Sequence, residues 1–173
     1  MSDPEPSPEE GFWRFSLAFY ALPRVAPALL ALQDRDGLDV NLMLFALWLG
    51  ISGRHPLDSG ALAAAERAIG TIRAEVVEPL RLLRRNLKHQ ADEDIQRFRE
   101  SIKVLELEGE KLVQTRLAHL ARPAASGIPT ENRLAGAVAN LTLYLGPQRS
   151  RSVPAMVIRD ALGSLKGSAA DGF

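Results

Sequence analysis

The sequence predicts an all-α protein, a helical bundle in which a long antiparallel helical hairpin (about residues 59–121) packs on apolar N-terminal helices. Apolar residues recur every three or four positions through most of the chain, which is the helical period. Helix-capping residues and glycines stand at the ends of these periodic segments. No segment alternates apolar and polar residues over the length of a strand.

The first two helices are indicated by their ends. Ser7 is a good N-cap, and the helix after it runs to about Tyr20. A break at 22–23 precedes a second helix over about 24–35, which Gly37 ends. The acidic and proline-rich residues 1–7 are predicted to be disordered.

Residues 32–53 contain the most apolar run of the chain, and the rest of the sequence is organised around it. Asp39 is the expected N-cap of a third helix that is apolar on every side, so this helix belongs in a core or against a partner. Asp34 lies in the last turn of the second helix, where the helix dipole disfavours a carboxylate. We therefore expect Asp34 to have a partner elsewhere in the fold, such as an arginine or backbone amides.

Two long helical segments form the predicted hairpin. The first follows Asp58 as N-cap, and Pro79 is expected to kink or divide it near Val77. The second follows Asp92 as N-cap and runs to about Ala121. The residues expected on the inward faces are Ile69, Ile72, Val76, Leu80, Leu83 and Leu87 of the first segment, and the heptad series Ile95, Phe98, Ile102, Leu105, Gly109 and Leu112 of the second, which then drifts to Val113, Leu117 and Leu120.

Two shorter helices end the predicted bundle, one over about 130–145 before Gly146-Pro147 and one over 153–165. We expect a single domain over residues 8–166, made of apolar helices (8–53), the hairpin (59–121) and C-terminal helices (130–166). Residues 167–173 are expected to form a loose tail.

Composition narrows the class of protein. Of the 173 residues 46% are hydrophobic and 24% charged, and 21 basic residues balance 21 acidic ones, so the net charge favours neither nucleic acid nor a membrane surface. There is no cysteine, which excludes disulfides and thiolate chemistry. The N-terminus lacks the features of a signal peptide, and the longest apolar run is about half a membrane span. We expect a cytoplasmic protein with no membrane span.

The first candidate site is a set of polar and aromatic residues around the third helix. It can be a polar clasp between the second and third helices or the floor of a small-molecule pocket. A calcium loop does not fit, since placing Gly37 at the EF-hand glycine puts Met43 where a carboxylate is required. We expect no metal and no cofactor. The candidate residues are Trp13, Tyr20, Gln33, Asp34, Asp39, Asn41 and Trp48.

The second candidate site is a basic stripe on the hairpin. Arg81, Arg84, Arg85 and Lys88 are spaced to share one helix face. Such a stripe can bind an acidic protein, a phosphate or RNA. The alternative is a solvated face paired with acids of the facing helix, such as Glu100, Glu106, Glu108 or Glu110.

No catalytic signature is present in the sequence. It contains no GxSxG, HExxH, P-loop or GxGxxG motif. His55, His89 and His119 lack the spacing of metal ligands. We assign no catalytic residue.

Four segments resemble a family of small proteobacterial proteins of unknown function. They are FWRFSLAFY (Phe12–Tyr20), ALQDRDGLDVNLMLFALWLG (Ala31–Gly50), VVEPLRLLRRNLK and LELEGEKL. The resemblance covers about residues 11–120, and its most specific part is DVNL. It implies an intracellular bacterial protein and adds no site.

The leading hypothesis is a non-enzymatic interaction protein, an adaptor or regulator that binds a protein partner through the hairpin surface. Homodimerisation through the hairpin or the third helix is one form of it. The alternatives are a small-molecule binder or enzyme with a pocket between the first three helices, and an RNA- or nucleotide-associated module that uses the basic stripe.

Overall fold

The computed structural model describes residues 6–54, 56–125 and 127–164, and helix is the regular secondary structure throughout these ranges. The predicted all-α class is therefore confirmed. Most of the predicted disordered N-terminus, the predicted loose tail and His55 lie outside the described residues. The helices are α1 (Pro8–Tyr20), α2 (Val25–Asp36), α3 (Val40–Ile51), α4 (Ser59–Ile72), a π-helical turn (Arg73–Val77), α5 (Glu78–Asn86), α6 (Glu93–Ala118), α7 (Thr130–Arg149) and α8 (Val153–Ser164).

The side chains that were predicted to cap helices do so in the structure. Ser7 and Glu10 form a reciprocal capping box at α1. Asp39, Asp58 and Asp92 accept hydrogen bonds from backbone amides in the first turns of α3, α4 and α6. These short polar side chains satisfy amides that have no partner within the helix, so they fix where each helix begins.

Helix α3 is the centre of the core, and α7 crosses it closely. Every residue from Asn41 to Ile51 is buried, as expected for a helix that is apolar on all sides. A Cβ atom added at Gly50 would lie only 2.1 Å from the backbone nitrogen of Ala137. The two backbones can approach this closely only because position 50 has no side chain. The α3–α7 crossing was not expected from the sequence.

Aromatic side chains join α1 to the same core. The rings of Phe12 and Trp48 stack with their centroids 5.1 Å apart, and Phe45 lies 5.7 Å from Phe12. Trp48 and Phe12 are fully buried. Stacked aromatic pairs of this kind add packing energy beyond the area that they bury.

The hairpin packs α4, the π-helical turn and α5 against α6. Pro79 does not end the first arm, because the chain widens into the π-helical turn just before it. The amide of Glu78 donates to the carbonyl of Arg73, five residues back. Opposite this turn, a Cβ at Gly109 would lie 3.2 Å from Val77. The hairpin therefore consists of one continuous arm with a local bulge, packed against the single helix α6.

Among the described residues, no single helix is long and apolar enough to cross a membrane. Helices α1 and α2 meet this criterion only as a pair, and they are bent by 99° at the break between them.

Replacement of Gly50 by alanine tests the α3–α7 crossing. The added methyl group would meet the backbone of α7, which cannot rotate away, so we expect the free energy of unfolding to fall by about 3 kcal/mol. Urea denaturation measures this loss. Gly70→Ala in α4 is the matched control, since no atom lies within 4 Å of its added Cβ; it should leave stability unchanged or raise it by up to about 1 kcal/mol.

Candidate interaction site

Asn41 connects the core helix α3 to the hairpin. Its side chain is buried, and its amide nitrogen donates a hydrogen bond to the carboxylate of Glu110 on α6. The amide nitrogen of Gln114, one turn further along α6, donates to Asn41 Oδ1 over 3.0 Å. A buried amide needs such partners, because leaving it without them would cost its full desolvation energy.

Two arginines of α5 continue this network across the hairpin. Arg81 donates to both Glu106 and Glu110, and its Nε lies 3.2 Å from Glu106 Oε1. Arg84 donates to both oxygens of Glu106, which places a fork of donors opposite one carboxylate. We name this set the hairpin clasp: Asn41, Arg81, Arg84, Glu106, Glu110 and Gln114.

The two carboxyl groups of the hairpin clasp differ in their pKa. Burial raises the pKa of Glu106, but the hydrogen bonds and charges of Arg84 and Arg81 outweigh burial, so its pKa lies below the ordinary value. Burial also raises the pKa of Glu110, and there Asn41 and Arg81 offset it only in part, so that pKa lies above the ordinary value. Glu106 is thus the firmly ionised member.

A second contact fixes the start of α3. The backbone amide of Asp39 donates to the hydroxyl of Tyr144 over 2.8 Å, and the Asp39 carboxylate lies 3.7 Å from Arg73 in the π-helical turn. Burial is the main cause that raises the pKa of Tyr144 to about 12, so the hydroxyl keeps its proton at neutral pH. No pattern in the sequence indicated Tyr144, because it lies 105 residues from Asp39 in the chain.

Asp34 has a partner elsewhere in the fold, as its position in α2 predicts, and of the two kinds expected it is an arginine. Its Oδ1 lies 2.9 Å from Arg85 on α5, with both side chains about half exposed. Asp34 and Asn41 therefore both bond to the hairpin rather than to each other. Gln33 precedes Asp34 in α2 and is half-buried.

The basic stripe is largely neutralised by these contacts. Arg81 and Arg84 face Glu106 and Glu110, two of the acids that the sequence offered as partners, and Arg85 faces Asp34. Lys88 is exposed. Paired arginines present little net positive charge to an anion.

The aromatic candidates do not gather around one cavity. Trp48 belongs to the core, and Tyr20 lies at the end of α1. The ring of Trp13 has Lys111 Nζ 5.7 Å from its centroid. A cleft of about 330 Å³ lies elsewhere, over Phe45 and Leu49 beside the start of α4, and none of the seven candidate residues lines it.

One of the two columns in the predicted heptad seam of α6 faces outward. Phe98, Leu105 and Leu112 were expected to pack inward, but they are 58%, 51% and 56% exposed. In this part of the prediction the orientation was wrong. Ile102 and Gly109 of the same seam are buried as predicted, and so are Val113 and Leu117, to which the seam was expected to drift. Glu106 is buried beside them.

The other arm of the hairpin shows the same departure. Val76 and Leu83 were expected inward and are 39% and 42% exposed, while Val77 is buried in their place. Val76 lies beside Gly109, where an added Cβ would be 3.5 Å from it. Because Gly109 is four residues after Leu105 and three before Leu112 on α6, Val76 adjoins the column that these leucines form. We name this surface the apolar hairpin face: Val76, Leu83, Phe98, Leu105 and Leu112.

Fold and site define an all-helical protein whose hairpin is bonded to the core on one side and presents apolar residues on the other. The chain belongs to the family described as "Protein of unknown function (DUF2390)", which matches residues 11–117. The match includes most of α1, all of α2 to α5 and nearly all of α6. Comparison with curated proteins found no match, and comparison with solved structures found none either.

Replacement of Glu106 by glutamine tests the hairpin clasp. The variant loses the charge that two arginines face, so we expect the free energy of unfolding at pH 7 to fall by about 1–3 kcal/mol. A lowered pKa stabilises the fold above the ordinary value of 4.5 and ceases to do so as pH falls through the folded-state pKa. The difference between wild type and variant should therefore shrink at pH 3.

Chemical denaturation at both pH values measures this difference. Glu100→Gln, on the exposed side of α6, is the control and should change stability little at either pH. An equal loss of stability for Glu106→Gln at pH 7 and pH 3 would contradict the electrostatic origin.

Proposed function

We propose that this protein is a non-enzymatic interaction protein, an adaptor or regulator, that binds a helical partner through the apolar hairpin face. The observation that carries the proposal is the exposure of five large apolar side chains in two adjoining columns, one on each arm of the hairpin. Amphipathic helices dock into such surfaces by covering apolar positions that recur every three, four or seven residues.

The regular spacing of its residues along α6 distinguishes this surface from isolated exposed leucines. Single exposed apolar residues are normal on any protein. Phe98, Leu105 and Leu112 are instead two helical turns apart, so they form a straight stripe along α6. A contiguous stripe of this kind is typical of helix–helix interfaces.

The hairpin clasp supports the proposal because it holds the face in one orientation. Arg81, Arg84 and Glu106 bond on the side of the hairpin that faces Asn41 and the core. The opposite side is then left with the apolar residues. A surface that is already ordered loses little conformational entropy when a partner binds.

The same proposal includes the location of the protein, which is the cytoplasm of a bacterium. The similarity of the N-terminal segments to proteobacterial proteins supports a bacterial cytoplasmic protein. A cytoplasmic partner that offers an amphipathic helix is the class of ligand that this surface fits.

Cysteine labelling tests whether the face is covered in cells. The natural chain has no cysteine, so one introduced thiol reports on one position. With Leu105→Cys on the apolar hairpin face, we expect alkylation by a maleimide in intact cells to be several-fold slower than in the isolated, denatured protein, because a partner excludes the reagent.

Leu107→Cys is the matched control. Leu107 is on the same helix and is 54% exposed, close to the 51% of Leu105, but it lies half a turn away from the stripe. It should label rapidly in cells. Equal rapid labelling of both positions would mean that the face is uncovered and would overturn the proposed function.

A further inference from the structure

We propose that the partner on the apolar hairpin face is a second copy of this chain, with the two α6 helices antiparallel and a twofold axis passing beside Leu105. This inference rests on the proposed function and specifies its partner. The two hairpins would form a four-helix bundle. An interface of this kind is isologous, so each residue of the stripe must suit the residue that the axis places opposite it.

The stripe on α6 extends beyond its apolar residues. Phe98 and Leu112 each lie seven residues from Leu105, and Asp94 and Arg116 each lie eleven residues from it. Seven and eleven residues are both close to whole numbers of helical turns, two and three. All five side chains therefore project from nearly the same side of α6, in the order acidic, apolar, apolar, apolar, basic.

This order is complementary to itself when the second helix runs in the opposite direction. Reversal about Leu105 places Phe98 opposite Leu112 of the second copy and Leu105 opposite its own equivalent. It also places Asp94 opposite Arg116, so each end of the interface brings together opposite charges. A parallel pairing would place Asp94 against Asp94 and Arg116 against Arg116, and both contacts would be repulsive.

The charges at the two ends are available for this pairing. Arg116 is exposed and has no ion pair with any residue in the described ranges. Asp94 contacts Arg97 on its own helix, but both side chains are largely exposed and such pairs contribute little. Neither charge is held by the rest of the fold.

The size of the face agrees with a stable dimer. From Asp94 to Arg116 the stripe is about 33 Å long at 1.5 Å per residue. Two helices about 10 Å apart make the face about 20 Å wide. The resulting surface of roughly 660 Å² approaches the ~800 Å² per partner of standard protein interfaces, before any contribution from residues at its edges.

A charge exchange tests the pairing in the purified full-length protein. Sedimentation equilibrium should show a dimer for the wild type. Asp94→Arg and Arg116→Asp should each weaken dimerisation by about tenfold, since every dimer contains the contact twice. The double variant D94R/R116D should restore wild-type affinity, which a nonspecific loss of surface charge would not do.

Cross-linking tests the register independently of affinity. A short bismaleimide should link two chains that carry Leu105→Cys. It should also link a Phe98→Cys chain to a Leu112→Cys chain in a mixture, and should link neither of these variants efficiently to itself. Val104→Cys, which is 57% exposed on another side of α6, is the control that should not cross-link.

The possible outcomes distinguish failure of the antiparallel dimer from failure of the proposed function. A monomer at 50 μM, or double-variant affinity no better than that of the single variants, would overturn the antiparallel dimer. If position 105 is nevertheless protected in cells, the proposed function stands with another protein as partner. If the protein is monomeric and position 105 labels freely in cells, both proposals fail.

Discussion

The buried contact between Asn41 and Glu110 sets how the hairpin lies against the rest of the protein. Asn41 begins the most apolar helix of the chain and needs polar partners at the point where that helix enters the core. Glu110 provides one, and a carboxylate in that position needs positive charge in turn. Arg81 meets this need from the other arm of the hairpin.

This requirement determines which side of the hairpin is turned outward. Once Glu106, Glu110 and their arginines face the core, the opposite sector of each arm must face solvent. That sector contains Phe98 and Leu105. The core does not need these side chains, because α1, α3 and α7 already bury one another through the aromatic cluster and the crossing at Gly50. The two sides of α6 therefore differ: one bonds to the rest of the fold and the other is exposed.

Most boundaries of the helices could be predicted because they depend on neighbouring residues. Ser7, Asp39, Asp58 and Asp92 cap the helices that they precede, and Gly37 ends α2 with a positive φ of 67°. The need of Asp34 for a partner followed from the helix dipole, and the structure supplies Arg85. The effect of Pro79 was only partly predictable, since a kink, a break and a π-helical turn all release its ring from the preceding carbonyl.

The amino-acid sequence by itself determined the helices, their order and the apolar character of α3, because capping and periodicity act over a few residues. Only the tertiary structure decided which column of the seam on α6 faces outward: Phe98, Leu105 and Leu112 are exposed, while Ile102 and Gly109, roughly 50° away at 100° per residue, are buried. Periodicity fixes the angles among side chains on one helix and does not say which sector meets a neighbour. Helix α6 has one sector of apolar side chains and one sector that contains both apolar and charged side chains. The mixed sector faces inward because buried Asn41 needs Glu110 as a partner, and these two residues are 69 positions apart in the chain.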